Sequence, residues 1–546
     1  MSRASELNRR LDLLENWLQT HPDLTAAAIL TLGFLLRLHV ASGTFLDPDE
    51  ALHFWAANRA SLAAAYQGSL HLSHPPLLVF VLHFCRWLGT SEVVLRLSSA
   101  IAGTAFCWPA FKWLTGLFGS TAGWIGLILL TFLPPMIALS SEVRQYALLL
   151  VFIAGAAYLL ERALAEDSAK SMLGSFASLY LGLLSHYSAF LFAATLGIYA
   201  ILRIASRRFS TNVIATWIAG QMLGLGIAAF LYVTHLSRLE QLQGAQVSNW
   251  LPTAYLPNSY FHAGSRWAWA LTRTGSIFQY LFGQLAIGDA AGLFFIAAAV
   301  FLLRRKVDRG KFGVDARLLG VLLLLPFVLT CVSALAGKYP YGGTRHAAFL
   351  AMFAVGGVSV LLARILKQRM AWGAVLAVLV VISCNSFAWR HRPDLAREHM
   401  SEAVEFISQR IPPGDAIFAD NQTGILLGHY LCQQKPFEPD RSIPNFRSFE
   451  CGGRRIIATG GEDFWFTTDN FFRRWQEMVP TYGLRPEQLV WIIQAGQNAN
   501  LARELRKFPE FRDLPTQSFG RNISIFRLRA DQPMPGPASS APAGES

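Results

Sequence analysis

The chain has 546 residues, of which 53% are hydrophobic and only 15% are charged. Soluble domains carry about 25% charged residues, so the composition argues against a soluble protein and, with its repeated long apolar runs, predicts a polytopic membrane protein. The net charge of +12 comes from basic residues dispersed between apolar runs, with no stripe and no recognised motif, which argues against a nucleic-acid partner.

The chain begins with the polar segment ELNRRLDLLENWLQ. Its apolar residues fall on one face of a helix, namely Leu7, Leu11, Leu14, Trp17 and Leu18. This pattern predicts a cytoplasmic amphipathic helix on the membrane surface within residues 1–23. A cleaved signal peptide is the alternative, but the polar lead is long and no clear small-residue cleavage site follows, so we interpret the next apolar run as an uncleaved anchor.

A transmembrane module is predicted over residues 24–390. Residues 75–89 are apolar but too short to cross a bilayer, which needs about 20 residues, and they are interpreted as an interfacial or re-entrant helix. The remaining apolar runs predict about eleven transmembrane helices, at 24–42, 92–117, 121–140, 143–162, 171–185, 188–204, 213–235, 275–303, 316–336, 346–364 and 371–389.

Short basic connections predict the orientation of these helices. Arginines and lysines cluster near residues 203–208, 304–311 and 364–369, and the number of spans puts these clusters on the same side as the N-terminus. By the positive-inside rule that side is cytoplasmic. The segment 43–91, which forms the first extracytoplasmic loop, and everything after residue 390 are then expected outside.

Residues 391–530 alternate helix-like and strand-like stretches, which predicts a small α/β domain. The tail 531–546 is rich in Pro, Ala, Ser and Gly and is expected to be disordered. Cys432 and Cys451 lie in this polar part and are able to pair if it is extracytoplasmic. The other four cysteines lie in apolar runs and show no metal-binding spacing.

Ionisable residues are energetically costly within a membrane and often mark functional sites there. In this chain such residues gather near the predicted extracytoplasmic ends of the spans. Examples are Arg37, Glu142, Arg144, Arg345 and His346. A secondary transporter would place its site near the midplane, so the pattern favours a site at the membrane surface. Carboxylates mixed with arginine and histidine suit a phosphate-bearing ligand and a base, because arginine engages phosphate with a planar fork.

Each of these residues also has a structural explanation. Asp47 and Asp49 are able to cap a helix that begins at Ala51, since carboxylates favour helix N-termini. Pro75 and Pro76 are suited to starting a helix. His74 is alternatively a neutral loop histidine, and Arg144 a residue that extends its charge to the interface.

Several stretches in order resemble the polyprenyl-phosphate-sugar-dependent glycosyltransferases, which include relatives of protein O-mannosyltransferases and lipid A aminoarabinose transferases and have the GT-C fold. The stretches are a first span with a late arginine, then DPDE, HPPL, SEVVLRLSSAIAG, SSEVRQYALLL and YPYGGTRH. The resemblance covers roughly residues 24–430 and implies a bacterial inner-membrane enzyme. The fold expected is a GT-C-like bundle with a small C-terminal α/β extracytoplasmic domain.

The resemblance implies roles for individual residues. Asp49 matches the position of the catalytic base, and Glu50 completes the same acidic pair. His74, Arg144 and Arg345 are expected to bind the donor phosphate, although the family often has lysine where His74 stands. Possible supporting residues are Arg37, Glu142 and His346. Attack is expected to invert the anomeric centre, and neither a cofactor nor a metal is predicted, although a divalent metal is possible beside three carboxylates.

The expected partners are a polyprenyl-phosphate-linked sugar, membrane lipids and an acceptor that is a lipid, a protein or a polysaccharide. The sequence identifies neither the sugar nor the acceptor. One alternative is a transporter or lipid flippase for an envelope glycolipid, which predicts midplane charges and inverted repeats. Another is a binding protein in which the spans only anchor the α/β domain.

Overall fold

The computed structural model describes residues 3–238, 254, 266–305, 311–384, 393–432, 443 and 445–535. Up to residue 384 the described chain is helical. Its helices are α1 (Arg3–Thr20), α2 (Pro22–Ser42), α3 (Pro48–Ala57), α4 (Leu62–Ser69), α5 (Leu77–Cys85), α6 (Glu92–Ala105), α7 (Cys107–Phe118), α8 (Ser120–Phe132), α9 (Pro134–Ser140), α10 (Tyr146–Glu166), α11 (Ala169–Ser185), α12 (Ser188–Ser206), α13 (Thr211–Leu231), α14 (Arg266–Phe282), α15 (Leu285–Arg304), α16 (Ala316–Leu335), α17 (Ala351–Ile365) and α18 (Met370–Cys384). A π-helical turn, Tyr232–Leu236, extends α13, and a 3-10 turn, Arg345–Leu350, leads into α17.

The later residues form strands alternating with helices. The strands are β1 (Ala416–Ala419), β2 (Phe446–Cys451), β3 (Arg454–Thr459), β4 (Leu489–Ala495), β5 (Thr516–Phe519) and β6 (Ile523–Arg529). The helices are α19 (Arg397–Arg410), α20 (Asn421–Tyr430), α21 (Thr468–Thr481) and α22 (Leu501–Leu505), with 3-10 turns at Pro393–Leu395 and Pro509–Phe511.

The chain is a multi-pass membrane protein. Eight helical stretches among the described residues are long and apolar enough to cross a membrane, and the bent pair α8–α9 raises the number to nine. The predicted count of about eleven is therefore not confirmed. Helix α18 has 15 residues and is shorter than a full span, and the end of the predicted span 371–389 lies outside the described residues.

Two predicted spans have a different structure. The prediction of one helix over 275–303 is wrong, because α14 ends before Gly283, whose φ of +69° lies in the left-handed region, and α15 begins at Leu285. The predicted span 121–140 bends by 55° between α8 and α9. Leu133 is extended there and Pro134 follows, and proline cannot donate the backbone hydrogen bond that would continue α8.

The chain divides into two compact units. The first comprises Met1–Ala41, Tyr66–Val81 and Arg96–Trp389, and the second comprises Ser42–Ala65, Leu82–Leu95 and Arg390–Ser546. The acidic segment that follows α2 therefore belongs to the same unit as the C-terminal strands. Most of the segment between the predicted spans 213–235 and 275–303, and most of the predicted disordered tail 531–546, lie outside the described residues.

The first unit is a helical bundle with an aromatic core. Trp113 of α7 packs edge-on against Phe353 of α17, with 5.7 Å between ring centroids. The predicted N-terminal amphipathic helix is present as α1, with Leu11 and Leu18 buried. The Glu15 carboxylate of α1 accepts hydrogen bonds from the backbone N–H groups of the first two residues of α18 at 3.1 and 2.7 Å, which fixes α1 to the bundle.

The second unit contains a six-stranded sheet in the order β2-β3-β1-β4-β6-β5. Strand β1 is parallel to both β3 and β4, and the outer pairs are antiparallel. Its core includes Phe418, Phe471 and Trp475. The predicted α/β domain is confirmed in these elements, and Cys432 and Cys451 form a disulfide.

Candidate active site

The acidic segment folds into a capped helix in the second unit. Asp47 is the N-cap of α3, and its Oδ1 accepts a hydrogen bond from the Asp49 N–H at 3.0 Å. The Glu50 carboxylate in turn accepts from the Asp47 N–H at 2.8 Å, which completes a capping box with Pro48 at the first helical position. The predicted capping role of Asp47 is confirmed, and the helix begins three residues before Ala51.

The capping box separates the three carboxylates by environment. The Glu50 side chain is only 1% exposed and is held against the backbone of Asp47. The Asp49 side chain is partly exposed and lies outside the box. Its backbone carbonyl lies 2.6 Å from Nδ1 of His53, one helical turn further on, which ties the first turn of α3 to the second. Asp47 and Asp49 are thus both partly exposed, and Glu50 is buried.

Residues from the C-terminal part of the chain hold this segment in place. The Tyr430 hydroxyl accepts a hydrogen bond from the Leu46 N–H at 2.8 Å and donates one to Glu92 at 3.0 Å. The Gln497 amide donates to the Asp47 carboxylate at 3.2 and 3.3 Å. Sequence reasoning did not find Tyr430 or Gln497, because nothing in the local pattern links them to residues 384 and 450 positions earlier.

A second group of polar side chains lies in the first unit. The imidazoles of His74 and His186 stack with 5.4 Å between centroids. Tyr146 packs against His186 at 5.0 Å, and its hydroxyl lies 3.4 Å from Nδ1 of His346. The structure thus brings together His74 and His346, which the sequence predicted, with Tyr146 and His186 between them.

Arg144 is positioned by the break that follows α9. It is only 3% exposed, its backbone N–H donates to the Glu142 carbonyl at 2.8 Å, and its own carbonyl accepts from the Ser99 hydroxyl at 3.3 Å. The charges of Arg144 and Arg345 both act on His346, which relates the two arginines to the histidine group.

Arg345 is positioned by the loop before the 3-10 turn. The Gly343 N–H donates to the Ser276 hydroxyl at 2.9 Å, and a Cβ added at Gly343 would lie 2.2 Å from the Ser276 carbonyl oxygen. Glycine is therefore required for this close approach to α14. Tyr339 fixes the other side of the loop by donating to the His346 carbonyl at 2.9 Å.

Arg37 and Glu142 are placed differently. Arg37 is fully buried, and its guanidinium donates to the Ser140 hydroxyl at 2.7 Å and to the Gly33 carbonyl at 2.9 Å. It therefore joins α2 to the end of α9. Glu142 is partly exposed in the turn after α9, where its carbonyl holds Arg144.

His186 lies in the turn between α11 and α12 and is uncharged at neutral pH. Burial, together with smaller contributions from His346 and Arg345, lowers its pKa to about 3. Nδ1 of its ring lies 2.8 Å from the Ser188 hydroxyl, which orients the imidazole beneath His74. His186 thus acts on the group through packing and hydrogen bonding rather than charge.

Among the described residues, no group of three or more His, Cys, Asp or Glu side chains is arranged to hold a metal ion. The arrangement offers two kinds of chemistry. One is a partly exposed carboxylate on a fixed helix, which is able to accept a proton. The other is a set of arginines and imidazoles, which is suited to an anionic oxygen ligand.

Comparisons with known proteins find similarity to parts of this chain and to its fold. A family model described as dolichyl-phosphate-mannose-protein mannosyltransferase matches residues 73–233. That stretch includes His74, Arg144 and His186 but neither Asp49 nor Arg345. A sequence comparison with curated proteins gives no match. Among solved structures, ArnT from Cupriavidus metallidurans bound to undecaprenyl phosphate aligns over 94% of this chain and 99% of that chain, with a TM-score of 0.51 and 12% identity.

The fold of this chain is similar to that of ArnT. ArnT from the same organism in the apo state aligns over the same shares of both chains, at 12% identity and a TM-score of 0.49. The oligosaccharyltransferase of Archaeoglobus fulgidus in complex with Zn and sulfate aligns over 73% of this chain and 61% of that chain, at 12% identity and a TM-score of 0.43.

Proposed function

We propose that this chain transfers a sugar from a polyprenyl-phosphate donor to an acceptor hydroxyl, with inversion at the anomeric carbon. One structure that shares its fold, ArnT, holds undecaprenyl phosphate, and the matching family model is described by a dolichyl-phosphate-mannose activity. The observation that carries the proposal is the acidic helix: its capping box occupies Asp47 and Glu50 and leaves Asp49 partly exposed.

In the proposed reaction the acceptor oxygen attacks the anomeric carbon while the bond from that carbon to the phosphate oxygen breaks. The acceptor proton passes to the Asp49 carboxylate, and the donor leaves as polyprenyl phosphate. A positioned base of this kind contributes roughly 10²- to 10⁴-fold to the rate. Because a single displacement needs only one carboxylate near the sugar, the capping role of Glu50 supports inversion over a double displacement.

The leaving phosphate gains charge as the sugar departs, and positive groups fixed in advance would stabilise it. Arg144 and Arg345 are proposed to bind its oxygens, with His74 as a third contact. Neutral His186 would hold the His74 ring by stacking. Arginine suits this role because its planar fork matches two phosphate oxygens at once.

The proposed location is the bacterial inner membrane, with the N-terminus cytoplasmic and the second unit extracytoplasmic. The disulfide between Cys432 and Cys451 supports this orientation, because such bonds persist in oxidising compartments and are rare in the cytosol. The acceptor is then a hydroxyl of an envelope lipid, protein or polysaccharide. Glycan and lipid mass spectrometry of a strain that lacks this protein would show which sugar linkage is lost.

The test compares two carboxylates of the second unit in purified protein. We expect Asp49→Asn to lower transfer from a labelled undecaprenyl-phosphate sugar by at least roughly 100-fold, since the base is removed. Asp513→Asn is the matched control: it also removes one negative charge, but at an exposed aspartate of the second unit outside the acidic segment, so activity should stay within about threefold.

The same assay examines the phosphate contacts. Arg144→Ala should raise the donor KM, because a charged hydrogen bond to phosphate is lost. Near-normal turnover by folded Asp49→Asn protein would refute the base assignment. A donor response unchanged by Arg144→Ala would refute the phosphate contact.

A further inference from the structure

The second unit places its polar side chains where an open α/β sheet normally binds a ligand. In such sheets, ligands lie beyond the carboxyl ends of parallel strands, at the point where the strand order reverses. Here β1 lies between β3 and β4 and is parallel to both. Gln422 follows β1 and Gln497 follows β4, so both glutamines stand at that edge of the sheet.

The Gln422 side chain forms two hydrogen bonds with the backbone of Gln497. The Gln422 amide donates to the Gln497 carbonyl at 2.6 Å, and the Gln497 N–H donates back to the Gln422 side-chain oxygen at 3.2 Å. Gln422 is fully buried. These two hydrogen bonds fix the backbone of Gln497. The direction of the Gln497 side chain is therefore set by the buried edge of the sheet.

The acidic helix occupies the edge. The Gln497 amide donates to both oxygens of the Asp47 carboxylate, and the same Oδ1 accepts the N–H of Asp49. A Cβ added at Gly496 would lie 2.4 Å from Cγ of Pro48, so the strand end and the helix start are in direct contact. One carboxylate oxygen therefore joins the strand β4 terminus to the backbone of the proposed base.

A second contact fixes the chain just before the helix. The Tyr430 hydroxyl, at the end of α20, accepts from the Leu46 N–H and donates to Glu92. Further along α3, the Phe54 ring packs edge-on against His429 at 5.4 Å, and Trp55 lies under the guanidinium of Arg447 from β2 at 5.3 Å. The helix is thus held by separate elements of the α/β fold along its length.

We propose that Gln497 and Tyr430 are positioning residues for Asp49, so that the α/β fold acts as part of the catalytic apparatus. The inference rests on the proposed function, because positioning matters only if Asp49 is the base. Neither residue is assigned a contact with the donor. Their loss should therefore lower kcat and leave the donor KM nearly unchanged, because small displacements of a reacting group are costly.

The test uses full-length protein in detergent with a labelled undecaprenyl-phosphate sugar. Gln497→Ala and Tyr430→Phe should each lower kcat by roughly 10- to 100-fold, the range that one hydrogen bond to a charged partner provides, with the donor KM within about twofold. Gln517→Ala, an exposed glutamine of β5 in the same sheet, is the matched control and should change neither constant. Unfolding midpoints of all variants identify any that fail to fold.

A conservative variant separates positioning from general destabilisation. Gln497→Glu places a carboxylate against Asp47, and the two repel at neutral pH. Near pH 5 they are able to share a proton and restore a hydrogen bond, so relative to wild type its kcat should rise as the pH falls, whereas that of Gln497→Ala should not. Donor binding by the inactive Asp49→Asn variant shows that the site still forms.

The outcomes are distinguishable. If Asp49→Asn is active, or if the wild type binds no polyprenyl-phosphate sugar, the proposed function fails. If Asp49→Asn is inactive while folded Gln497→Ala and Tyr430→Phe have the kcat of the wild type, only the positioning inference is overturned. A raised donor KM with unchanged kcat also overturns it, because that result would make these residues substrate contacts.

Discussion

The helical bundle contains a charged group whose removal should strongly destabilise the protein. Glu161 of α10 and Arg203 of α12 are 1% and 6% exposed, and their side chains lie 3.5 Å apart. The Tyr199 hydroxyl donates to the other oxygen of Glu161, and Arg203 also donates to the Phe312 carbonyl at 3.3 Å. Breaking a buried ion pair by removing one partner costs about 3–5 kcal/mol, since a charge remains uncompensated.

The size of the effect follows from what each substitution leaves behind. Glu161→Gln keeps an oxygen for Tyr199 but removes the charge beside Arg203, so we expect a loss of about 3 kcal/mol in the free energy of unfolding. Glu161→Ala also leaves the Tyr199 hydroxyl without its acceptor and should cost about 1–3 kcal/mol more. The triple change Glu161→Leu, Tyr199→Phe and Arg203→Met removes every partner together and should recover most of the loss.

The assay is denaturant unfolding in mixed micelles, followed by tryptophan fluorescence. Glu166→Gln is the matched control, because the exposed pair that Glu166 forms with Arg162 on the same helix has a comparable ion-pair distance of 3.0 Å. That pair should contribute no more than about 0.5 kcal/mol. The reasoning is refuted if Glu161→Gln is no less stable than Glu166→Gln, or if the triple variant is as unstable as Glu161→Gln.

Two further predictions concern the second unit. Burial raises the pKa of Asp420 from 3.8 to about 6, so the folded state binds its proton more tightly than the unfolded state. The contribution of Asp420 to the free energy of unfolding should therefore fall as the pH rises from about 4 to 6. The difference in unfolding midpoint between wild type and Asp420→Asn, measured across this pH range, should decrease accordingly. A difference that does not change with pH would contradict the prediction. Replacing Cys432 and Cys451 together by serine opens a loop with a sequence separation of 19 and should cost about 3 kcal/mol in denaturant unfolding, whereas an unchanged midpoint would show that the disulfide does not stabilise the protein.

Much of the local structure follows from short sequence patterns. The stretch DPDE contains an N-cap residue, a proline and a glutamate in the spacing of a capping box, and the structure forms that box. The α/β alternation after residue 391 likewise predicts β1, β3, β4 and β6, because each of them is a short run rich in apolar and β-branched residues. The sequences of β2 (FRSFEC) and β5 (TQSF) show no such run, and the pattern did not predict them. These features depend on neighbours within a few positions.

The remaining features depend on contacts that no local pattern encodes. The break at Gly283 lies in an apolar run, and transmembrane helices tolerate glycine, so periodicity does not distinguish a helix end from a continuous span. The grouping of His74, Tyr146, His186 and His346 includes two contacts, His74 with His186 and Tyr146 with His346, between residues more than 100 positions apart. Some of these residues lie in sequence stretches that resemble a known family, but only the fold gives the distances between them.

The acidic helix α3 depends on the C-terminal residues of the second unit for its position. A helix of ten residues is too short to be stable alone in water, so α3 needs tertiary contacts to hold a fixed direction. It receives them at the sheet edge where related architectures bind ligands. Because the Asp47 carboxylate accepts from both Gln497 and Asp49, this single group transmits the position of β4 to the backbone of the proposed base. An enzyme that must align a carboxylate with an acceptor hydroxyl gains precision from that rigid sheet, which a free loop between two helices would lack.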